Sequence, residues 1–274
     1  MNATGMLERH EVFPSRYVLP RNLDVWCPPG YSEPGAEAYP VLYMHDGQNL
    51  FEDSISYGSI SWGIDRAMTR LIEEGNIRGA IVVGIWNSPI RWRDYMPQNP
   101  YESLRVAKHR EAFLETAGGV PVSNSYLRFL VEEVKPFIDA HYRTFPDQMN
   151  TFVMGSSMGG LISLYAISEY PHIFGSAACI STHWPVGGTE LVDEMARGLP
   201  DPSTHKLYFD FGTETLDSDY EPYQRRIDAH LRKAGYVENR NWITRKFAGA
   251  EHSERSWRLR VHIPLEFLLE QIGT

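Results

Sequence analysis

Five short apolar runs punctuate this chain, with turn residues at their ends: "PVLYMHDG" at 40–47, "GAIVVGIW" at 79–86, "NTFVMG" at 150–155, "FGSAACIS" at 174–181 and "KLYFDFG" at 206–212. A strand with one wet face alternates apolar and polar residues. These runs are continuous, so they read as strands covered on both faces. Between them lie segments of helical spacing. Ile64, Ala67, Met68, Leu71 and Ile72 share one face before a stop at Gly75. "SNSYLRFLVEEVKPFIDAHY" offers Ser123 or Ser125 as an N-cap, "MGGLISLYAISEY" is ended by Pro171, and "YEPYQRRIDAHLRKAG" completes the set. "NLDVWCPP" adds a leading strand stopped by Pro28, Pro29 and Gly30, and "NWITRKFAG" a last one. "HSERSWRLRVHIPLEFLLEQI" reads as a helical end broken near Pro264. The alternation predicts an α/β chain with a mainly parallel sheet and helices on both faces.

The chain has 274 residues, 42% of them hydrophobic and 22% charged, enough to bury one large core, so a single domain over 1–274 is expected. A formal net charge of -9 argues against a general nucleic-acid partner, which needs an excess of Lys and Arg. No apolar run approaches the length of a membrane span. The leading "MNATGMLERHEVFPSRYV" lacks a basic start followed by an apolar core, so no secretory signal is expected and the cytoplasm is the expected location. Cys27 and Cys179 are the two cysteines, and both read as packing thiols.

The stretch 88–122, "SPIRWRDYMPQNPYESLRVAKHREAFLETAGGVPV", breaks the alternation. It is long, polar and rich in aromatics, and it follows the C-terminal end of a strand, where open α/β sheets place their ligand crevice. It is expected to be a loop acting as a flap or partial lid. Trp86, Trp92 and Tyr95 belong to it or border it as candidate packing or contact aromatics, and Arg91 and Arg93 are candidates to meet an anionic substrate.

Gly155-Ser156-Ser157-Met158-Gly159 is a G-x-S-x-G pattern between a strand and a helix. Such a turn lifts the central hydroxyl, here that of Ser157, above the sheet, and glycine is needed where backbones approach. The helix N-terminus adds positive partial charge, and the backbone N–H of Met158 can face a developing oxyanion. Ser156 reads as a packing neighbour. A serine needs a base. His252, in "FAGAEHSERSW", sits between the last predicted strand and the final helix. His183, in "STHWPVGG", could line a pocket but does not match the position of a base. The acid should follow "KLYFDFG". Asp210 lies inside that strand and Asp219 reads as a cap of the next helix. Glu214 and Asp217 are both in the loop; Asp217 is preferred, with Glu214 as the alternative.

These residues together resemble the putative esterase family of α/β-hydrolases, which includes feruloyl and acetyl-xylan esterases, esterase D-like enzymes and enterochelin esterases. "LDVWCPPGY", "YMHDGQNLF", "GSSMGG", "DFGTETLD" and "GAEHSERSWRLR" carry the resemblance, the last with Trp257 and Arg260 in place. It covers nearly the whole chain. It implies the α/β-hydrolase fold and a serine carboxylic-ester hydrolase working through an acyl-enzyme. It implies Ser157 as nucleophile, His252 as base, Asp217 as orienting acid, and a second oxyanion donor from the backbone near Gly47, Gln48 and Asn49, with Gln48 chosen. It implies no metal and no cofactor. "HDGQNLFED" does hold His45, Asp46, Glu52 and Asp53, but without helical ligand spacing. Trp184, after "CISTH", is a candidate pocket wall for stacking on an aromatic or sugar ring. By analogy with the family the substrate is a small-molecule ester, such as a small acyl or sugar-linked one. An acyltransferase and a noncatalytic binder of the same fold are the alternatives, and the oligomeric state, a homo-oligomer included, is not fixed by these patterns.

Overall fold

A computed structural model describes residues 5–35 and 37–270. The strands are β1 (Met6–Phe13), β2 (Arg21–Cys27), β3 (Val41–His45), β4 (Ile81–Ile85), β5 (Thr151–Ser156), β6 (Ser176–Ile180), β7 (Lys206–Phe211) and β8 (Trp242–Lys246). The helices are α1 (Ile64–Glu73), α2 (Arg91–Tyr95), α3 (Gln98–Ser103), α4 (Ala107–Ala117), α5 (Ser123–Phe129), α6 (Lys135–His141), α7 (Met158–Glu169), α8 (Gly188–Ala196), α9 (Glu221–Ala234), α10 (Glu254–Arg260) and α11 (His262–Leu269). A π-helical turn, Leu130–Val134, joins α5 to α6.

The strands form one sheet of order β1-β2-β4-β3-β5-β6-β7-β8. Everything from β4 to β8 is parallel, while β2 runs antiparallel to both β1 and β4. Alternate residues of each apolar run serve opposite faces. Val41 and Tyr43 of β3, Val153 of β5 and Phe209 of β7 pack with α5, α7, α8 and α9 through Leu127, Leu161, Leu191 and Ile227. Leu42, Met44, Met154 and Tyr208 face the other way, against Met68 of α1, Trp257 of α10 and Leu265 of α11. This is the α/β-hydrolase architecture with helices on both faces, and it explains why the runs show no polar alternation. From β3 the chain moves one way to β4 and then the other way to β5. Open α/β sheets bind ligands at such a reversal, outside the strands' carboxyl ends.

Several local expectations change. β1 has a polar sequence, "MLERHEVF", because it is an edge strand paired on one side only. The stretch 88–122 is an insertion of three helices rather than a loop. Tyr95, Met96, Tyr101, Leu104 and Phe113 turn inward and join the core. Spread over three short helices, these residues leave no sustained period to read. Ser123 is the first residue of α5, not its cap; its hydroxyl accepts from the Gln98 N–H at 2.9 Å, tying the insertion to α5. Asp219 ends a 3-10 turn, Thr215–Asp219, and does not cap α9. The final helical segment breaks at Val261, and Pro264 sits in the first turn of α11, where its missing N–H costs nothing. Positions 271–272 of that segment lie outside the described residues. Cys27 and Cys179 are free and buried, and burial pushes the Cys27 thiol up to about 12.

Candidate active site

Ser157 occupies the turn between β5 and α7 with φ 59° and ψ -121°. A side chain pays strain in this region of backbone space, so the surroundings must hold it there. Its N–H donates to the Ile180 carbonyl at 2.9 Å, and its own carbonyl accepts from Gly160 at 3.0 Å and His183 at 3.1 Å. A Cβ on Gly155 would come within 2.7 Å of the Gly159 carbonyl oxygen, so glycine at 155 lets α7 start directly over β5. Ser156 is the buried last residue of β5, paired with Ile180. The Ser157 hydroxyl makes no hydrogen bond among the described residues and is not sealed from solvent.

Asp217 and His252 are brought together. His252 Nδ1 and Asp217 Oδ1 are 2.6 Å apart. The second carboxylate oxygen accepts from the Gly212 N–H and the Ser181 hydroxyl, each at 2.6 Å. Ser181 in turn accepts from Trp257 Nε1 at 3.0 Å and Arg260 at 2.9 Å, and Arg260 also bonds Asp210 at 2.9 Å. Burial would raise the Asp217 carboxyl; the His252 hydrogen bond and charge, with Ser181 and Gly212, outweigh it and hold the group below the usual carboxylate range. Glu214 is exposed and its backbone N–H bonds Ala250, so the carboxylate that reaches His252 is that of Asp217. His252 sits one residue before Ser253, whose hydroxyl caps α10 by accepting from the Ser256 N–H.

After β3 the chain turns at Asp46, with φ 58°, into a 3-10 turn, Gly47–Asn49. The Asp46 carboxylate lies against the start of α7, since a Cβ on Gly159 would be 3.4 Å from Asp46 Oδ2. Arg91 of α2 grips Asp46 with two hydrogen bonds of 2.6 Å, and Asn87 adds one of 2.7 Å. The Gln48 side chain accepts from the Asn87 N–H at 3.1 Å. Among the described residues, no backbone carbonyl accepts from the N–H of Gln48 or Met158. His45 is buried, with Nδ1 2.8 Å from the Tyr126 hydroxyl. Burial, then the charges of Arg91 and Arg21 against the opposing pull of Asp46, bring it down to about 3. Burial and the nearby Asp46 charge push Glu254 above the usual carboxylate range.

Trp184 is not a pocket wall. It is fully buried, and its indole N–H reaches Gln224 at 3.3 Å beneath the site. The residue before it, His183, is the one that meets the site, with its ring centroid 6.4 Å from that of His252. Trp92 packs edge-on against His183 at 5.7 Å. No local pattern marks His183, because its placement depends on where β6 ends relative to β5 and β7. Two hollows of about 650 and 660 Å³ lie away from Ser157, one around His205 and Arg240 and one behind the His252 loop. The site is thus identified by its chemistry rather than by depth. Among the described residues no helix is long and apolar enough to cross a membrane.

Comparison with known proteins bears on the family and the fold. Residues 19–261 match the putative esterase family. An uncharacterized protein of Bacillus subtilis (strain 168), YbbA, is 22% identical over 255 residues, covering 90% of each chain. The fold is similar to that of an IroE-like serine hydrolase from Shewanella oneidensis, with TM-score 0.72 and 20% identity over 97% of this chain and 80% of the other. It is also similar to a ferulic acid esterase, with TM-score 0.70 and 17% identity over 97% and 98%. By its sequence and its fold, the chain belongs to the putative esterase family of α/β-hydrolases and is a carboxylic-ester hydrolase.

Proposed function

We propose that the whole chain works as one serine esterase domain whose triad is Ser157, His252 and Asp217. The observation that carries this reading is the 2.6 Å contact between His252 Nδ1 and a buried Asp217 whose other oxygen two further donors, Ser181 and Gly212, hold in place. With Nδ1–H committed to Asp217, Nε2 of His252 is left as the base. Ser157 Oγ attacks the ester carbonyl while His252 takes its proton. The oxyanion rests on the N–H groups of Met158 and Gln48. The alcohol leaves with the proton from His252, and water activated by the same nitrogen then hydrolyses the acyl-enzyme. No hydrogen bond joins Ser157 to His252 in this structure; catalytic hydrogen bonds commonly tighten only around bound substrate.

The substrate is a small-molecule ester, with acyl esters of sugars or aromatic acids favoured by the ferulic acid esterase likeness and by Trp92 at the site. The test is hydrolysis of short p-nitrophenyl esters by the wild type and by Ser157→Ala, with fluorophosphonate labelling of both. Loss of at least about three orders of magnitude in turnover, and loss of the label, is expected in the variant. Equal rates in the two proteins sink the proposal.

A further inference from the structure

His183 is joined to the site by its backbone, which donates to the Ser157 carbonyl at 3.1 Å, and by its ring, which packs between Trp92, Tyr220 and His252. Its Nδ1 lies 2.5 Å from the Tyr220 hydroxyl. Tyr220 is buried, and this nitrogen is the one hydrogen-bond partner of its hydroxyl among the described residues. If His183 donated from Nδ1, the phenol proton would be buried without an acceptor, which is costly. The phenol therefore donates, and the proton of the neutral imidazole sits on Nε2. Burial, then repulsion from His252 and Arg91, holds His183 down at about 4, so the ring stays neutral. Nε2 has no partner among the described residues and is not sealed from solvent. The fold thus fixes a neutral N–H donor on a ring packed beside His252, and its own architecture leaves that donor unused.

We propose that His183 is a specificity-determining residue, whose Nε2–H donates a hydrogen bond to an uncharged oxygen acceptor that the ester substrate carries next to its scissile group. An ether, hydroxyl or carbonyl oxygen fits this donor; a plain alkyl chain leaves it without a partner, which is how polar sites discriminate. The proposal rests on Ser157 being the nucleophile. The acceptor can belong to the acyl or to the alcohol part, and the test separates them.

Two isosteric pairs probe the two sides: p-nitrophenyl methoxyacetate against p-nitrophenyl butanoate, and 2-methoxyethyl acetate against butyl acetate. Intrinsic reactivity cancels when the oxygen-over-methylene ratio of kcat/KM is compared between proteins. His183→Leu is expected to lower that ratio about fivefold or more in one pair, and that pair names the side. Unchanged ratios in both pairs, in a variant that fluorophosphonate still labels, overturn the proposal while leaving the esterase reading intact. A wild type that resists the label overturns the esterase reading instead. Nitrogen-15 NMR of the histidines gives a readout independent of turnover and of the Leu variant's folding. The wild type is expected to show His183 protonated on Nε2 alone at pH 7, and Tyr220→Phe is expected to lose that pure tautomer together with part of the ratio. A wild-type His183 protonated on Nδ1 would contradict the proposal.

Discussion

Arg91 and Asp46 meet through two parallel hydrogen bonds of 2.6 Å, one residue from the helical insertion and the other from the turn after β3. Burial would raise the Asp46 carboxyl, but Arg91 and Asn87 bring it below its ordinary value. The pair clamps the insertion onto the turn that carries Gln48. Arg91→Met leaves a buried carboxylate short of its main partner and is expected to destabilise the protein by about 2 kcal/mol. It should also lower kcat/KM by about 10- to 100-fold through misplacement of the turn. Urea unfolding and ester kinetics check both. Adding Asp46→Asn should restore at least half of the lost stability, because the uncompensated charge goes with it.

Asp217 and Glu214 separate cleanly by substitution. Asp217→Asn places an amide where Asp217 now accepts from His252, Ser181 and Gly212. It is expected to lower kcat by about 10⁴, the loss typical when the histidine tautomer is no longer held. Glu214→Gln alters an exposed side chain and should leave kcat within about twofold. Steady-state turnover of the two variants decides which carboxylate orients the base.

Ser157 sits at φ 59° and ψ -121°, a conformation open to glycine and strained for other residues. Ser157→Gly should therefore be more stable than Ser157→Ala by about 1 kcal/mol, even after the entropy that glycine adds to the unfolded chain. Both variants should be inactive. Chemical denaturation of the pair measures strain stored at the nucleophile, and equal midpoints would show there is none.

His45 predicts a loss of stability in mild acid. Its value of about 3 in the folded chain lies below the ordinary 6.5, so unfolding takes up a proton between these limits. Its contribution to stability is complete above pH 6.5 and is lost as pH falls toward 3. From pH 7 to pH 5 the loss is about 2 kcal/mol. His45→Gln should flatten the fall in stability between these two pH values by about that amount, as read from urea midpoints at each.

The sheet was legible in the chain because a parallel sheet needs strands that are apolar on both faces, and "PVLYMHDG", "GAIVVGIW" and "NTFVMG" are short, continuously apolar and bounded by turn residues or separated by helical segments. The corner at Ser157 was legible for a related reason: a side chain at Gly155 would run into the backbone of Gly159 four residues on, and that requirement is local. His252 and Asp217 were legible by their order after the last strands. What local pattern could not give was distance across the sheet. The preference for Asp217 over Glu214 becomes a contact only when the loops after β7 and β8 close on each other, with Asp217 turned inward and Glu214 outward. Trp184 and His183 are neighbours in sequence, and the twist of one short turn decides that the tryptophan goes under the site and the histidine into it. The helices of 88–122 leave no readable period in the sequence because their buried residues answer to three short axes instead of one. Sequence determined where the strands and the tight turn at Ser157 fall, since strand burial and tight turns are constraints between near neighbours. Tertiary structure alone decided which of these side chains meet, His252 with Asp217 and His183 with Trp92, since that is set where separate strands end in space.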